Sequence, residues 1–206
     1  MASTASPYGL KAVNELGGLP YAGSTRTFLI DPAGYSTNIF NGTIVYVNSS
    51  GYLNIVTGTG ADGTTNSFPG SGTLTGAVGV FVGCSYYNAQ GQLIFSQYYP
   101  ANTTGVVQAF VVDDDRAVFQ VQANGSMAQT TLGNNVYLAN AQSTSTGSTT
   151  TGNSNIAVSS SSVTTTVAFR IVGFVNSTTS QVGDAYTDLL VKFNPGYHSY
   201  SNAVGV

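Results

Sequence analysis

Charged side chains are scarce in this chain of 206 residues, since Asp, Glu, Lys and Arg make up only 6%. An ordinary soluble domain carries roughly 25%. The five basic residues are scattered along the sequence, so no positively charged footprint for nucleic acid can be assembled. The surface must therefore consist mainly of Ser, Thr, Asn, Gln and Gly, whose neutral groups are little affected by salt. Such a surface is typical of repetitive β structures and packed assemblies, where like charges would repel.

Long apolar runs and cysteine pairs are also missing. No run of about 18 apolar residues occurs, so no membrane span is predicted. The first residues, MASTASPYGLK, have neither a basic start nor an apolar core, so no signal peptide is expected. Cys84 is the only cysteine, which leaves no internal disulfide. Together these absences predict assembly in a reducing cytoplasm.

The most strongly patterned stretch is residues 76–99. Valine alternates with glycine and phenylalanine over positions 78–83, and a polar turn containing Gly91 leads to a second apolar run at 93–95. This pattern predicts two β-strands joined by a short turn. The glycines inside the first strand leave out side chains where another backbone could approach closely.

Alternating apolar residues predict further strand pairs along the chain. The predicted pairs are 38–47 with 52–56, 106–112 with 117–122 as a hairpin turning at 113–116, and 164–175 with 187–193. The last stretch could also be drawn as a helix. A strand is predicted because the flanking turns leave room for only about two helical turns.

Two stretches of small polar residues are predicted to be loops. One spans residues 58–72, and the other is a Ser/Thr/Gly-rich stretch at 142–155 that is expected to be exposed and mobile.

A faint internal echo bears on the architecture. The stretch at 42–48 resembles 133–138, and 78–82 resembles 171–175. We therefore predict an all-β fold, with residues 35–206 forming a single β-barrel or sandwich of two similar halves. Closure would remove exposed strand edges, which a weakly charged protein cannot guard with lysines.

Residues 1–34 are predicted to form an extended N-terminal arm, because they hold three of the six prolines, a Gly17-Gly18 pair and little alternation. The arm is either a floppy terminus or a segment that wraps a neighbouring subunit. Its apolar residues favour burial against another protein surface. The candidate contact residues are Leu10, Val13, Leu16, Leu19 and Tyr21.

The acidic run Asp113-Asp114-Asp115 is the sharpest chemical feature. Three carboxylates could bind a hard cation such as calcium. Aspartate is also favoured in turns, and the adjacent Arg116 offsets part of the charge. We predict a solvated turn here and no metal site.

No other residues form a catalytic constellation. His198 is the only histidine and is predicted to be a surface or interface residue rather than a base. Glu15 is the only glutamate, and Cys84 is predicted to be a buried thiol. We therefore predict that the chain is not an enzyme and uses no cofactor.

A family resemblance adds a more specific expectation. It is carried by GLKAVNELGGLPYAGSTRTFLI at 9–30, followed in order by NIFNGTIVYV, GVFVGCSYYN, FSQYYP, AFVVDDDRAVFQVQANGSMAQ, RIVGFV and GDAYTDLLVKFN. In this order the segments resemble small structural proteins of tailed bacteriophages, and are similar to the head decoration, or cement, proteins that coat a capsid. The resemblance covers nearly the whole chain apart from the loops.

The resemblance implies a non-enzymatic protein that binds the major capsid protein on the outer face of the shell. It implies assembly in the host cytoplasm, a homo-oligomer with a trimer favoured over a dimer, and reinforcement of the expanded head against internal DNA pressure. No nucleic acid and no membrane is expected as a partner. The arm residues would then dock on the shell or on a sister subunit, and deleting residues 1–24 is expected to abolish capsid binding while the barrel stays folded.

Two rival functions stay open. A receptor-binding or fibre protein of the same virion would use the loop at 142–155 and the tyrosines to bind host glycans, although the chain lacks repeats and a coiled-coil stem. A secreted lectin or carbohydrate-active enzyme is disfavoured by the expected lack of a signal peptide and by the sparse carboxylates.

Overall fold

The fold is a sandwich of two antiparallel β-sheets. The computed structural model describes residues 4–60, 76–143 and 145–201, and these contain eleven strands and two short 3₁₀ helices, Gln129–Thr131 and Ser199–Ser201. The predicted all-β class is confirmed, and of the two predicted forms the sandwich is the one adopted. Most of the predicted loop at 58–72 lies outside the described residues.

The first sheet has five strands, in the order β1 (Lys11–Glu15), β8 (Ala117–Gln122), β11 (Asp188–Phe193), β10 (Phe169–Phe174) and β9 (Asn135–Val136). The second sheet has the order β2 (Arg26–Ile30), β7 (Val107–Val112), β5 (Gly79–Tyr87), β3 (Ile44–Val47) and β4 (Leu53–Ile55). A sixth strand of the second sheet, β6 (Leu93–Ser96), pairs with the last residues of β5. The two stretches of the internal echo pair alike, because β3 pairs with β5 and β9 pairs with β10.

Three of the predicted strand pairs form, and one does not. The pairs β3–β4, β5–β6 and β10–β11 are antiparallel as predicted, and residues 188–193 are a strand rather than a helix. The predicted hairpin of 106–112 with 117–122 is wrong. The turn between them carries the chain from the second sheet to the first, where β8 lies between β1 and β11. Alternation identifies a strand, but it does not say which sheet the strand joins.

The N-terminal residues supply one edge strand to each sheet. β1 pairs with β8, and β2 pairs with β7. The sequence predicted a strand at 25–30 but gave no sign of β1, because KAVNE has no alternating pattern. The strand forms because β8 offers it a free row of backbone hydrogen-bonding groups.

The second sheet is covered on both faces. One face meets the first sheet in a main core whose largest side chains include Phe119, Phe169 and Phe193. The other face carries a second core in which Phe81 and Tyr99 are fully buried. Adjacent residues of β3 show the division, since Ile44 belongs to the main core and Val45 to the second.

The glycines of β5 do allow close backbone approach. A Cβ atom on Gly79 would overlap the carbonyl oxygen of Val112 on β7. A Cβ atom on Gly83 would lie 3.0 Å from the carbonyl oxygen of Ser96. The prediction made from the alternating glycines is therefore confirmed at both positions.

The Ser/Thr/Gly-rich stretch at 142–155 is exposed over residues 148–151, as predicted, but it is anchored near both ends. Gln142 is 2% exposed and Ser154 is 1% exposed. The Gln142 amide accepts a hydrogen bond from the Ile44 N–H at 2.8 Å and donates to the carbonyl oxygens of Ile44 and Val56. It pairs with β3 as a neighbouring strand would, a role that composition cannot reveal.

Candidate interaction surfaces

The N-terminal residues form a small hairpin, which we call the N-terminal hairpin (residues 11–21). The Glu15 N–H donates to the Leu19 carbonyl at 2.7 Å, and the Tyr21 N–H donates to the Val13 carbonyl at 3.3 Å. Gly17 and Gly18 form its tip with φ angles of 115° and 85°, which side chains other than glycine rarely adopt. The tight turn fixes the direction in which its neighbouring leucines project.

Leu16 and Leu19 are the exposed apolar side chains of this hairpin, at 42% and 63% exposure. Two hydrogen bonds hold the hairpin to the turn at 113–116 between β7 and β8, which we call the crossover turn. The Leu16 N–H donates to the Arg116 carbonyl at 2.8 Å, and the Arg116 guanidinium donates to the Leu16 carbonyl at 3.2 Å. The two leucines are therefore presented on an anchored element.

The other predicted contact residues are placed differently. Leu10 is 1% exposed and belongs to the main core of its own chain. Val13 and Tyr21 are half-buried, and Tyr21 packs against that core. The apolar residues of 1–34 predicted burial, but a sequence cannot separate burial within the chain from burial against a partner. Of the five predicted contact residues, Leu16 and Leu19 are therefore the most accessible to a shell or a sister subunit.

A second exposed apolar surface lies at the far end of the second sheet. We call it the distal patch, and its members are Leu29, Tyr87, Leu93, Phe95 and Val106. Phe95 is 73% exposed, Tyr87 and Val106 are each 63% exposed, and the two leucines are just under half exposed. Strand register places Leu29, Gln108, Ser85 and Phe95 in one row across four strands.

The distal patch is the part of one face of the second sheet that the first sheet does not cover. It continues the face on which Val80 and Val112 pack into the main core. The opposite side of the same strand ends is filled by second-core residues such as Cys84 and Val107. The residues lining the patch include Ser85 and Gln108 but no charged residue. It is therefore a neutral, mostly apolar surface.

The acidic run stabilises the crossover turn. Asp113 Oδ2 lies 2.8 Å from Arg26 Nε, and the Tyr200 hydroxyl donates to the same oxygen at 2.9 Å. Asp114 Oδ1 accepts the Arg116 N–H at 2.8 Å, which is the turn hydrogen bond expected of aspartate. Over the residues that the structure describes, no three His, Cys, Asp or Glu side chains are grouped so as to hold a metal ion.

His198 is buried, which corrects its prediction as a surface or interface residue. It is 2% exposed, and its ring packs edge-on against Phe193 at a centroid distance of 5.6 Å. Nδ1 accepts the Tyr200 N–H at 3.3 Å, so the hydrogen of the neutral ring belongs on Nε2. Burial lowers the pKa of His198. In this tautomer the one basic lone pair of the ring is engaged by the Tyr200 N–H.

Cys84 is the buried free thiol that the sequence predicted. It is 1% exposed in the second core, and burial raises its pKa to about 12. Because the thiolate is the reactive form, this cysteine is chemically inert near neutral pH.

A polar groove of about 440 Å³ opens beside the N-terminal segment. Amide side chains dominate its lining, and the Gln97 amide donates to Asn153 Oδ1 at 2.7 Å. The lining residues are Tyr8, Leu10, Lys11, Asn41, Gln97, Gln120 and Asn153. Amides offer both donors and acceptors, which suits the hydroxyl groups of a neutral sugar.

Comparisons with family models, curated proteins and solved structures give no match to this chain. Within the described ranges, the search for a helix long and apolar enough to cross a membrane also finds none.

Proposed function

We propose that this chain is a non-enzymatic structural protein of a tailed-bacteriophage virion, which decorates the outer face of the capsid by binding the major capsid protein. The observation that carries the proposal is the N-terminal hairpin, which presents two exposed leucines on an anchored turn. The family resemblance of the sequence supports the same function. The protein would assemble in the host cytoplasm and reside on the surface of the head.

The hairpin is suited to a weak contact repeated many times. Burying a leucine completely is worth about 1.5–3 kcal/mol, so two half-exposed leucines supply about 2–3 kcal/mol together. A millimolar dissociation constant already requires about 4 kcal/mol. One hairpin alone would therefore bind poorly, but a lattice that holds several linked copies gains affinity through effective concentration.

The neutral surface predicts how docking responds to salt. Neither leucine contact depends on an ion pair, and charged residues make up only 6% of the chain. Salt screens charge interactions and slightly strengthens the burial of apolar groups. Occupancy of the capsid should therefore stay constant or rise between 0.05 and 1 M NaCl, on the order of a twofold change at most.

Deleting residues 1–24 is not a clean test of docking. The deletion would remove β1 from the edge of β8 and Leu10 from the main core. Loss of a buried leucine costs about 2–5 kcal/mol, so a truncated chain could fail to bind because it is unfolded. Substitutions at the exposed tip avoid this ambiguity.

The experiment is co-sedimentation of the purified chain with capsids of the virus that encodes it, prepared without this protein. The double variant Leu16→Ser/Leu19→Ser should bind at least tenfold more weakly than the unchanged chain. The matched control is Leu132→Ser, because Leu132 is 46% exposed but lies at the end of a 3₁₀ helix away from the hairpin. Equal occupancy by the double variant would overturn the hairpin as the docking element, and no binding by the unchanged chain would overturn the function.

A second function is favoured by one observation, the amide-lined groove. A receptor-binding protein of the same virion could hold a host glycan between Asn41, Gln97 and Asn153. A glycan array screened with the unchanged chain and with Gln97→Ala tests this function. Sugar binding that is lost in Gln97→Ala would favour receptor recognition over capsid decoration.

A further inference from the structure

We propose that the distal patch is the contact between copies of this chain, so that the protein forms a homo-oligomer through the far end of its second sheet. This inference does not require the capsid function, because it concerns the free protein in solution. It assigns a surface to self-association that is separate from the N-terminal hairpin.

The first argument is size. An aromatic side chain offers about 150–250 Å², and the five large side chains of the patch are 47–73% exposed, which amounts to roughly 500 Å² of apolar surface. The largest apolar patch of a typical monomer is about 300–600 Å², and such patches are often functional. One partner in a standard interface buries about 800 Å², so the patch with a polar rim is large enough to hold two copies together.

The second argument is chemistry. Around a symmetry axis each residue meets its own copy or a close neighbour of it, so a charged residue there would face a like charge. The lining of the patch contains no charged residue. Its exposed polar groups, the Gln108 amide and the Tyr87 hydroxyl, can each both donate and accept a hydrogen bond. They can therefore form hydrogen bonds with the same groups of a second copy. A different protein with a charged surface would find no opposite charge in the patch.

The third argument is placement. Val106 immediately precedes β7, whereas Arg116, which holds the N-terminal hairpin, follows the other end of that strand. At about 3.3 Å per residue, β7 separates the two surfaces by roughly 20 Å. An oligomer joined through the distal patch would leave every hairpin free. It would present two or three hairpins together, which supplies the linkage that weak docking needs.

The experiment measures the mass of the purified chain in solution by light scattering and sedimentation velocity. The unchanged chain should be a dimer or trimer at micromolar concentration. Phe95→Ser/Val106→Ser should associate at least tenfold more weakly, and its thermal unfolding should remain cooperative because both side chains are largely exposed. Leu16→Ser/Leu19→Ser and Leu132→Ser should keep the oligomer intact.

A charge variant makes oligomer formation depend on salt concentration, which a change in packing alone would not do. Gln108→Glu has nearly the shape of the native side chain but places negative charges opposite one another in the proposed contact. Its oligomer should dissociate in low salt and recover in 1 M NaCl, since salt screens the repulsion. The matched control, Gln129→Glu in the exposed 3₁₀ helix before β9, should change neither the oligomeric state nor its response to salt.

The proposal is overturned if the unchanged chain is monomeric at 100 μM. It is equally overturned if the Phe95→Ser/Val106→Ser protein and the Gln108→Glu protein both keep the native oligomer in low salt. Capsid docking is measured separately, by co-sedimentation of the hairpin variants, so failure of this proposal and failure of the capsid function are distinguishable.

Discussion

Replacing Gln142 by leucine should destabilise the sandwich severely, although the residue lies at the start of a Ser/Thr/Gly-rich stretch. The side chain is 2% exposed, and its amide bonds the Ile44 N–H at 2.8 Å and the Ile44 carbonyl at 2.9 Å, with a further bond to the Val56 carbonyl. Leucine has a similar volume, so the change removes hydrogen bonds while opening little cavity.

The magnitude follows from the groups left without their partner. The Ile44 carbonyl still accepts the Val56 N–H at 3.0 Å, so the Ile44 N–H and the Val56 carbonyl bear the loss. A buried polar group left unsatisfied costs about 1–3 kcal/mol, which gives about 2–6 kcal/mol for the two. The total stability of a domain is about 5–15 kcal/mol, so the variant should lose a large share of it.

Urea unfolding followed by circular dichroism measures this loss. The control is Gln90→Leu, because Gln90 is exposed in the turn before β6 and its substitution should change stability by less than about 0.5 kcal/mol. If Gln142→Leu unfolds within 0.5 kcal/mol of the unchanged chain, the amide does not serve as a substitute strand, and the reasoning about this segment is refuted.

Three further predictions concern the packing of the two cores. Gly79→Ala should cost about 2–3 kcal/mol in thermal or urea unfolding, because its Cβ would overlap the Val112 carbonyl and separate β5 from β7; a neutral result would contradict the close approach. Cys84 should resist a thiol reagent at pH 8 in the folded protein and react fully in denaturant, since burial raises its pKa to about 12; rapid labelling of the folded chain would count against this. His198 should make stability depend on pH. Burial lowers the pKa of His198 in the folded protein, although the nearby carboxylates of Asp113, Asp114 and Asp115 raise it in part. The neutral histidine therefore contributes its full stabilisation above the unfolded pKa of about 6.5, and this stabilisation is lost as the pH falls towards the folded pKa. The free energy of unfolding should change by no more than about 1.4 kcal/mol per pH unit. The melting temperatures of the unchanged chain and of His198→Asn, measured between pH 5 and 8, should converge at low pH. A constant difference between them would exclude the histidine as the cause.

Strand pattern predicted most of the fold because burial on one face of a strand leaves a direct trace in the sequence. The alternation at 78–83 and the run at 93–95 correspond to β5 and β6, and their pairing follows from the short turn between them. The assignment of β7 and β8 to different sheets was missed, because an Asp-rich turn is equally compatible with a hairpin and with a crossover.

The candidate surfaces were only partly predictable. Apolar residues among prolines and glycines predict contact at Leu16 and Leu19, and the structure leaves both exposed. Leu10 had the same signal but fills the main core. The distal patch was missed because Tyr87, Leu93 and Phe95 alternate as core residues do. The alternation does not show that the first sheet leaves this face uncovered.

Electron cryomicroscopy of heads, prepared with and without this chain, tests the central claim most directly. The account predicts additional density at regular lattice positions on the outer face of the capsid, with a hairpin in contact with the major capsid protein. Unchanged heads, or density confined to the tail, would contradict it.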